Sequence, residues 1–255
     1  EKGILSILFE GKNDTDIIAN GGIRPNVVAP FVDFESKSLN NLKFNKIDNK
    51  YHVEGISAHA MEPNNGKNAI KEFALEINKY VDSKFIRFIC DNLINTRLKD
   101  CKLDITDKEM GDLTMNMGLL KMDKDNVSLV INIRYPHNLD YDKFIKEFTE
   151  IAKRYDVSLK VMSNSAPHYV DPNSKFIKTL HESYIKYTND HSPLITIGGG
   201  TYARDFECGV AFGVLFPGEV EMAHETDEYI SIESLMKAGT IICDAIYSVA
   251  KDPKW

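Results

Sequence analysis

The sequence predicts an α/β protein of the α+β kind: a two-layer sandwich on a largely antiparallel sheet, followed by a smaller, partial α/β segment. Three patterns carry this reading. Residues 113–120 and 126–133 alternate in the manner of paired strands on either side of Asp123-Lys-Asp-Asn126, a hairpin turn. Residues 139–155 place Phe144, Ile145, Phe148, Ile151 and Ala152 three or four apart, the stripe of an amphipathic helix. Near the C-terminus, two apolar runs at 194–197 and 209–216 flank Gly198-Gly-Gly-Thr-Tyr-Ala-Arg204, which reads as strand, glycine-rich turn, strand.

In chain order, an apolar strand at 4–9 ends at Gly11-Lys-Asn-Asp14. The stretch 16–20 is too short to assign. Gly21-Gly22 is a turn, and 25–34 is extended, since the residue before a proline is pushed toward β. Residues 40–50 are polar, a loop or an edge, and 51–57 read as a strand. Glu62-Pro-Asn-Asn-Gly66 has turn chemistry. Asn68 then opens a helix with the apolar set Ala69, Ile70, Phe73, Leu75, Ile77 and Tyr80, and a second helix covers 82–98. Pro136-His-Asn138 breaks the hairpin before the helix at 139–155 and a strand at 157–162. The best domain boundary is Ser163-Asn-Ser-Ala-Pro167. Beyond it come a helix at 173–188, the two strands around the glycine turn, a loop carrying His224, and a final helix at 231–250. Ser231 serves that helix as N-cap, and Glu233 places negative charge where the helix dipole favours it.

Composition narrows the function. The chain has 255 residues, is 43% hydrophobic and carries a net charge of −7. That charge, with no basic run, argues against a nucleic-acid partner. The longest apolar run, 209–216, is far short of the ~20 residues that span a bilayer. Cys90, Cys101, Cys208 and Cys243 show no CxxC pairing, as expected of reduced thiols in a cytoplasmic protein. The first residue is Glu1, with no leader pattern after it, so the chain is expected to start inside a longer protein.

A few side chains stand out. His224 sits amid Glu225, Asp227 and Glu228, which suits metal ligation, because a carboxylate can fix the tautomer of a ligating imidazole. The same pattern also describes a surface ion pair. His59 ends a strand in small residues, Gly55-Ile-Ser-Ala-His59, where a ligand could approach; an ordinary surface histidine reads the same way. Arg134, at a strand end, and Arg204, after the glycines, could each grip a carboxylate or form an internal salt bridge. Asn26 could hydrogen-bond a ligand or complete a turn. Local spacing supplies no HExxH, HxD or Glu-Glu pair to finish a zinc site. Gly198 to Ala203 also fits a dinucleotide fingerprint, which gives a nicotinamide-dependent oxidoreductase as one alternative. The arrival of Gly209 and a second apolar run where a helix should continue counts against it.

Taken in order, Glu1-Lys-Gly, Gly22-Ile-Arg-Pro-Asn-Val-Val, Gly55-Ile-Ser-Ala-His-Ala, Asn132-Ile-Arg-Tyr-Pro, Gly198-Gly-Gly-Thr-Tyr-Ala-Arg and Met222-Ala-His-Glu-Thr-Asp-Glu-Tyr resemble the co-catalytic zinc peptidases. These are the aminoacylase, carnosinase and carboxypeptidase G type, and the likeness is greatest to their bacterial dipeptidases of the peptidase V kind. The resemblance implies a lid domain at 1–164 and the C-terminal segment of the catalytic domain at 165–255, with the first catalytic half absent. It implies a dipeptide or short-peptide substrate and two zinc ions in the intact enzyme, with His224 the one ligand retained. His59 would stabilise the oxyanion from the lid. Asn26, Arg134, Arg204 and the backbone of Gly199 and Gly200 would bind substrate. The chain alone is expected to be inactive, to hold zinc weakly at most, and to self-associate through apolar surface. The other alternative is a non-enzymatic α+β binding or dimerisation module.

Overall fold

The computed structural model describes residues 1–255 except 41, 48, 49, 214, 221, 223–226 and 252–255. The chain divides into two units: Glu1–His168 with Thr196–Gly200, and Tyr169–Ile195 with Thr201–Trp255.

The first unit carries strands β1 (Gly3–Lys12), β2 (Ile18–Gly21), β3 (Phe31–Glu35), β4 (Asn45–Ile47) and β5 (Lys50–Glu54), then helices α1 (Ala69–Ile77) and α2 (Lys84–Asn92). Strands β6 (Thr106–Asp107), β7 (Gly111–Asp112), β8 (Thr114–Met122) and β9 (Asn126–Tyr135), helix α3 (Tyr141–Lys153) and strand β10 (Ser158–Ser165) follow. Eight strands make one sheet in the order β10-β1-β9-β8-β2-β3-β5-β4, antiparallel at every junction. β6 and β7 form a separate small hairpin, in which the Asp107 carboxylate accepts the Glu109 and Met110 amides at 2.8 Å each.

The two-residue period of the strands sorts side chains to opposite faces. Leu5, Ile7 and Phe9 of β1 and Leu129, Ile131, Ile133 and Tyr135 of β9 enter one core with the apolar stripes of the three helices. Phe9 is the junction. Its ring meets Phe88 of α2 at 4.8 Å and Phe148 of α3 at 5.1 Å, both edge-on. Phe34 of β3 meets Phe73 of α1 at 5.0 Å in the same way. Each helix starts at a side-chain cap: Asn68 for α1, Ser83 for α2 and Asp140 for α3.

The second helix is shorter than the pattern at 82–98 predicts, ending at Asn92. There Asn95 accepts the Arg97 amide on its own side chain at 2.9 Å, a local bond that competes with helix propagation. The polar stretch around 45–50 contributes the edge strand β4, and β2 forms where the sequence is too short to assign.

The second unit is built on two helices, α4 (Lys175–Thr188) and α5 (Ile232–Lys251). Ala238, Ile241 and Ala245 of α5 and Ile177 and Ser183 of α4 are buried, and Lys186 binds Asp244 at 2.5 Å. Asn189, at φ 54°, ends α4 in the left-handed region. The strands expected at 194–197 and 209–216 are not formed among the described residues. An apolar run becomes a strand only where a neighbour supplies its ladder of hydrogen bonds. Residue 197 receives one such bond, from the Lys2 amide to the Ile197 carbonyl at 3.1 Å. No described strand runs beside 209–213. Ile195 and Leu215 consequently stay exposed.

Two outcomes are expected. Phe9→Ala should lower unfolding stability by ~3–5 kcal/mol, read from urea midpoints, because both helix contacts lose their shared ring; a loss under ~1 kcal/mol would show the junction to be replaceable. The second concerns Asp16. Desolvation pushes its carboxyl up, but the Ser38 and Ser36 hydroxyls and the Ser38 and Lys37 amides overcome that and hold it at about 2. A folded-state value below the ordinary one contributes stability above the ordinary carboxylate range, lost as pH falls toward the folded value. The melting-temperature gap between wild type and Asp16→Asn should therefore be present at neutral pH and close as pH falls from ~4 toward 2. A gap independent of pH would contradict the assignment.

Candidate functional site

Two glycines in the first unit let the site's loops come together. Gly22 lies at φ +81°, in the left-handed region, and a Cβ there would collide with the Gly118 carbonyl. Gly118 sits at the register shift between Met117 and Leu119, and its own Cβ would lie 2.5 Å from the Pro25 backbone. A bulge and a missing side chain thus admit the 22–27 loop onto β8. Asn116, buried in β8, fastens it there by donating to the Pro25 carbonyl at 3.0 Å and the Val27 carbonyl at 2.9 Å. Its own carbonyl accepts from Asn68 at 3.2 Å.

That loop presents Asn26 beside the segment carrying His59. The Ala60 amide donates to the Asn26 carbonyl at 3.0 Å, the Val28 amide to Ala58 at 2.9 Å, and Val27 bridges His59 in antiparallel fashion. Both side chains are exposed. The His59 Nδ1 accepts the Met61 amide at 3.1 Å. An accepting Nδ1 places the proton of the neutral ring on Nε2. The Met61 carbonyl in turn accepts the Thr114 hydroxyl at 3.3 Å, and Thr114 is the register partner of Arg134.

Arg134 is only 4% exposed. Its Nε donates to Asn132 Oδ1 at 2.9 Å and its Nη1 to the Gly198 carbonyl at 2.9 Å. A Cβ on Gly198 would lie 2.7 Å from Met61 Cβ, so only glycine fits that contact without a shift. The Thr196 hydroxyl donates to the Glu109 carbonyl at 3.0 Å, so 196–200 is tied down at both ends of the stretch before Gly199 and Gly200. Asn26, His59, Arg134, Gly199 and Gly200 therefore share one unit.

Arg204 lies in the other unit, on a 3₁₀ helix Tyr202–Asp205 whose N-cap Thr201 accepts the Ala203 amide. That single turn replaces the long helix a dinucleotide fingerprint requires. His224 lies outside the described residues. Among the described residues, no group of three or more His, Cys, Asp and Glu side chains converges as a metal ion requires. These residues alone thus do not fit a zinc centre.

The charges around the site are largely spoken for. Burial lowers the Lys2 ammonium from its ordinary value, with Asp112 opposing and Arg97 adding to the effect. Arg97 binds Asp112 at 2.6 Å. Burial raises the Cys90 and Cys101 thiols to about 11, which removes them as nucleophiles at neutral pH. Among the described residues, the site offers oriented hydrogen-bonding groups in His59 and Arg134.

Sequence pattern assigns no role to Asn116, nor to Asn132 beyond its place at the head of the Asn132-Ile-Arg-Tyr-Pro motif. They face each other across β8 and β9, both buried. Their signal is a polar amide in the middle of an otherwise apolar strand, which must find partners. Met61 and Thr114 had no such signal.

The profile of Peptidase family M20/M25/M40 matches residues 13–248. The Bacillus subtilis (strain 168) protein named "Putative dipeptidase YtjP" is 40% identical over 204 residues, covering 77% of this chain and 43% of the relative. A Staphylococcus aureus (strain MRSA252) protein of the same naming, SAR1836, is 36% identical over 203 residues, with the same coverage of 77% and 43%. The chain thus spans less than half the length of these curated relatives. A solved structure of the di-peptidase Dug1p from Saccharomyces cerevisiae aligns with 99% of this chain and 55% of its own, at a TM-score of 0.50 and 11% identity, a likeness of fold.

Removing the Asn116 amide tests the loop's anchorage. Asn116→Ala leaves two carbonyls without their donor and should cost ~1–3 kcal/mol in urea denaturation. It should also raise amide exchange at Ala60, whose bond runs to Asn26. Unchanged exchange there would show the loop to be held by other means.

Proposed function

The chain belongs to peptidase family M20/M25/M40, and from that premise we propose that it is part of a dipeptidase hydrolysing the peptide bond of dipeptides and short peptides. Residues 1–164 act as the substrate-closing lid and 165–255 as the final segment of the catalytic domain. The observation that carries this reading is the fixed orientation of His59, whose Nδ1 is held by the Met61 amide and whose neutral ring therefore donates from Nε2.

A donor aimed at a carbonyl is what peptide hydrolysis asks of a closing lid. As a nucleophile adds, negative charge grows on the carbonyl oxygen, and a pre-oriented N–H stabilises that oxygen more than the ground-state carbonyl. Asn26, one backbone bond from the His59 segment, would hold the substrate alongside. The amides of Gly199 and Gly200 would line the pocket, where absent side chains allow close approach. Arg134 and Arg204 are the cations proposed for the substrate's carboxylate; of the two, Arg134 shares its unit with His59 and Asn26. A dipeptide offers few atoms, so both its ends must be recognised together. Lid closure would also expel water from around the reacting bond.

Zinc enters through the family likeness alone, with His224 as the proposed ligand. Among the described residues no metal centre is formed. On its own the chain is proposed to be inactive, with the remaining ligands and the general base supplied by sequence outside it. A cytoplasmic setting agrees with the four free thiols, and no described helix is long and apolar enough to cross a membrane. Exposed Ile195, Tyr202 and Ile232 support self-association of the isolated chain.

In the full-length enzyme carrying this sequence, His59→Ala should lower kcat by ~10²–10³ with the melting temperature unchanged. Unaltered kcat would remove the lid histidine from the chemistry. Calorimetric titration of this chain with zinc should reveal no tight pair of sites. Two tightly bound ions per chain would overturn the assignment of the other ligands elsewhere.

A further inference from the structure

Arg134 does not stand alone on the outer face of the sheet. Asn132, two residues before it on β9 and buried at 3% exposure, accepts the Arg134 Nε on Oδ1 at 2.9 Å. Its Nδ2 donates to the Ser6 hydroxyl on β1 at 3.1 Å, and Ser6 is its register partner. From Arg134 the line continues through Nη1 to the Gly198 carbonyl at 2.9 Å. Ser6, Asn132, Arg134 and Gly198 thus form one strut from a central strand to the glycine stretch.

We propose that Asn132 is a positioning residue, acting through Arg134 to fix the backbone of Gly198–Gly200 for a ligand that carries a free carboxylate. A guanidinium on a long side chain has many rotamers, and holding Nε from one side and Nη1 from the other selects one of them. With the plane fixed, the Gly198 carbonyl is fixed too, and the following amides of Gly199 and Gly200 inherit its direction. Glycine backbone has the most freedom to lose, so an external tie matters more here than elsewhere. Asn132 touches no ligand itself. The amide side chain is suited to the task because it accepts on one atom and donates on the other, satisfying a buried arginine and a half-buried serine at once.

The strut itself stands on the distances; only the ligand class rests on the peptidase reading. Two measurements separate these. In the full-length protein, solvent exchange of the Arg134 Nε–H, followed by NMR, should be slow in wild type. It should quicken in Asn132→Ala and stay slow in Asn132→Asp, which keeps the acceptor. Unchanged exchange in Asn132→Ala overturns the strut, whatever the enzyme does. Kinetics on a dipeptide and on its C-terminal amide give the second readout. Asn132→Ala should raise KM for the dipeptide about ten- to a hundredfold, the worth of one hydrogen bond to a charged group, with kcat changed less than about threefold. KM for the amide should stay near wild type, and Asn132→Asp should restore the difference. Equal losses on both substrates would reduce Asn132 to a structural role and overturn the proposal. A quickened Arg134 exchange in a protein whose wild type cleaves no dipeptide would support the strut and reject the peptidase reading.

Discussion

Strand β9 sends Leu129, Ile131, Ile133 and Tyr135 into the helical layer and turns Asn132 and Arg134 to the other face. This alternation is the constraint on which the site depends. The apolar set is pinned by the core around Phe9, Phe88 and Phe148, so β9 cannot slip by a residue without exposing every one of them. Because that register is fixed, Asn132 meets Ser6 on one side and Asn116 on the other, and Arg134 meets Thr114. Hydrophobic burial on one face thereby sets the position of polar groups on the other.

The polar face is organised by satisfying buried donors and acceptors. An unpaired buried amide costs more than a typical hydrogen bond returns, so each one recruits whatever backbone lies within reach. Asn116 recruits the carbonyls of Pro25 and Val27, which brings the Asn26 loop against β8. Arg134 recruits the Gly198 carbonyl, and Met61 joins the two by offering its amide to His59 and its carbonyl to Thr114. The loops are thus placed by the demands of groups beneath them. This is how exposed residues such as Asn26 and His59 hold a defined relation without a core of their own.

The second unit follows a different logic. Its two helices bury a narrow seam of Ala238, Ile241 and Ala245 with Ile177, closed by the Lys186–Asp244 pair. Small residues let the helices approach, but they leave much of the apolar face of α5 outside, including Leu235, Met236, Ile246 and Tyr247. The same holds for the apolar runs around the glycine turn. Their hydrophobicity marks them for burial, yet side-chain pattern cannot supply the neighbouring backbone that a strand requires.

Local periodicity and caps determined a good deal by themselves. The hairpin of β8 and β9, the stripe of α3 and the openings at Asn68 and Ser231 were legible because each depends on residues a few positions apart. Tertiary structure alone decided that Arg134 is buried, that it donates to Asn132 and Gly198, and that Asn116 carries the Asn26 loop. These pairings join residues up to 91 positions apart, as from Pro25 to Asn116. They are chosen by which backbone groups the folded sheet leaves in need of a partner, a property that no short stretch of sequence contains.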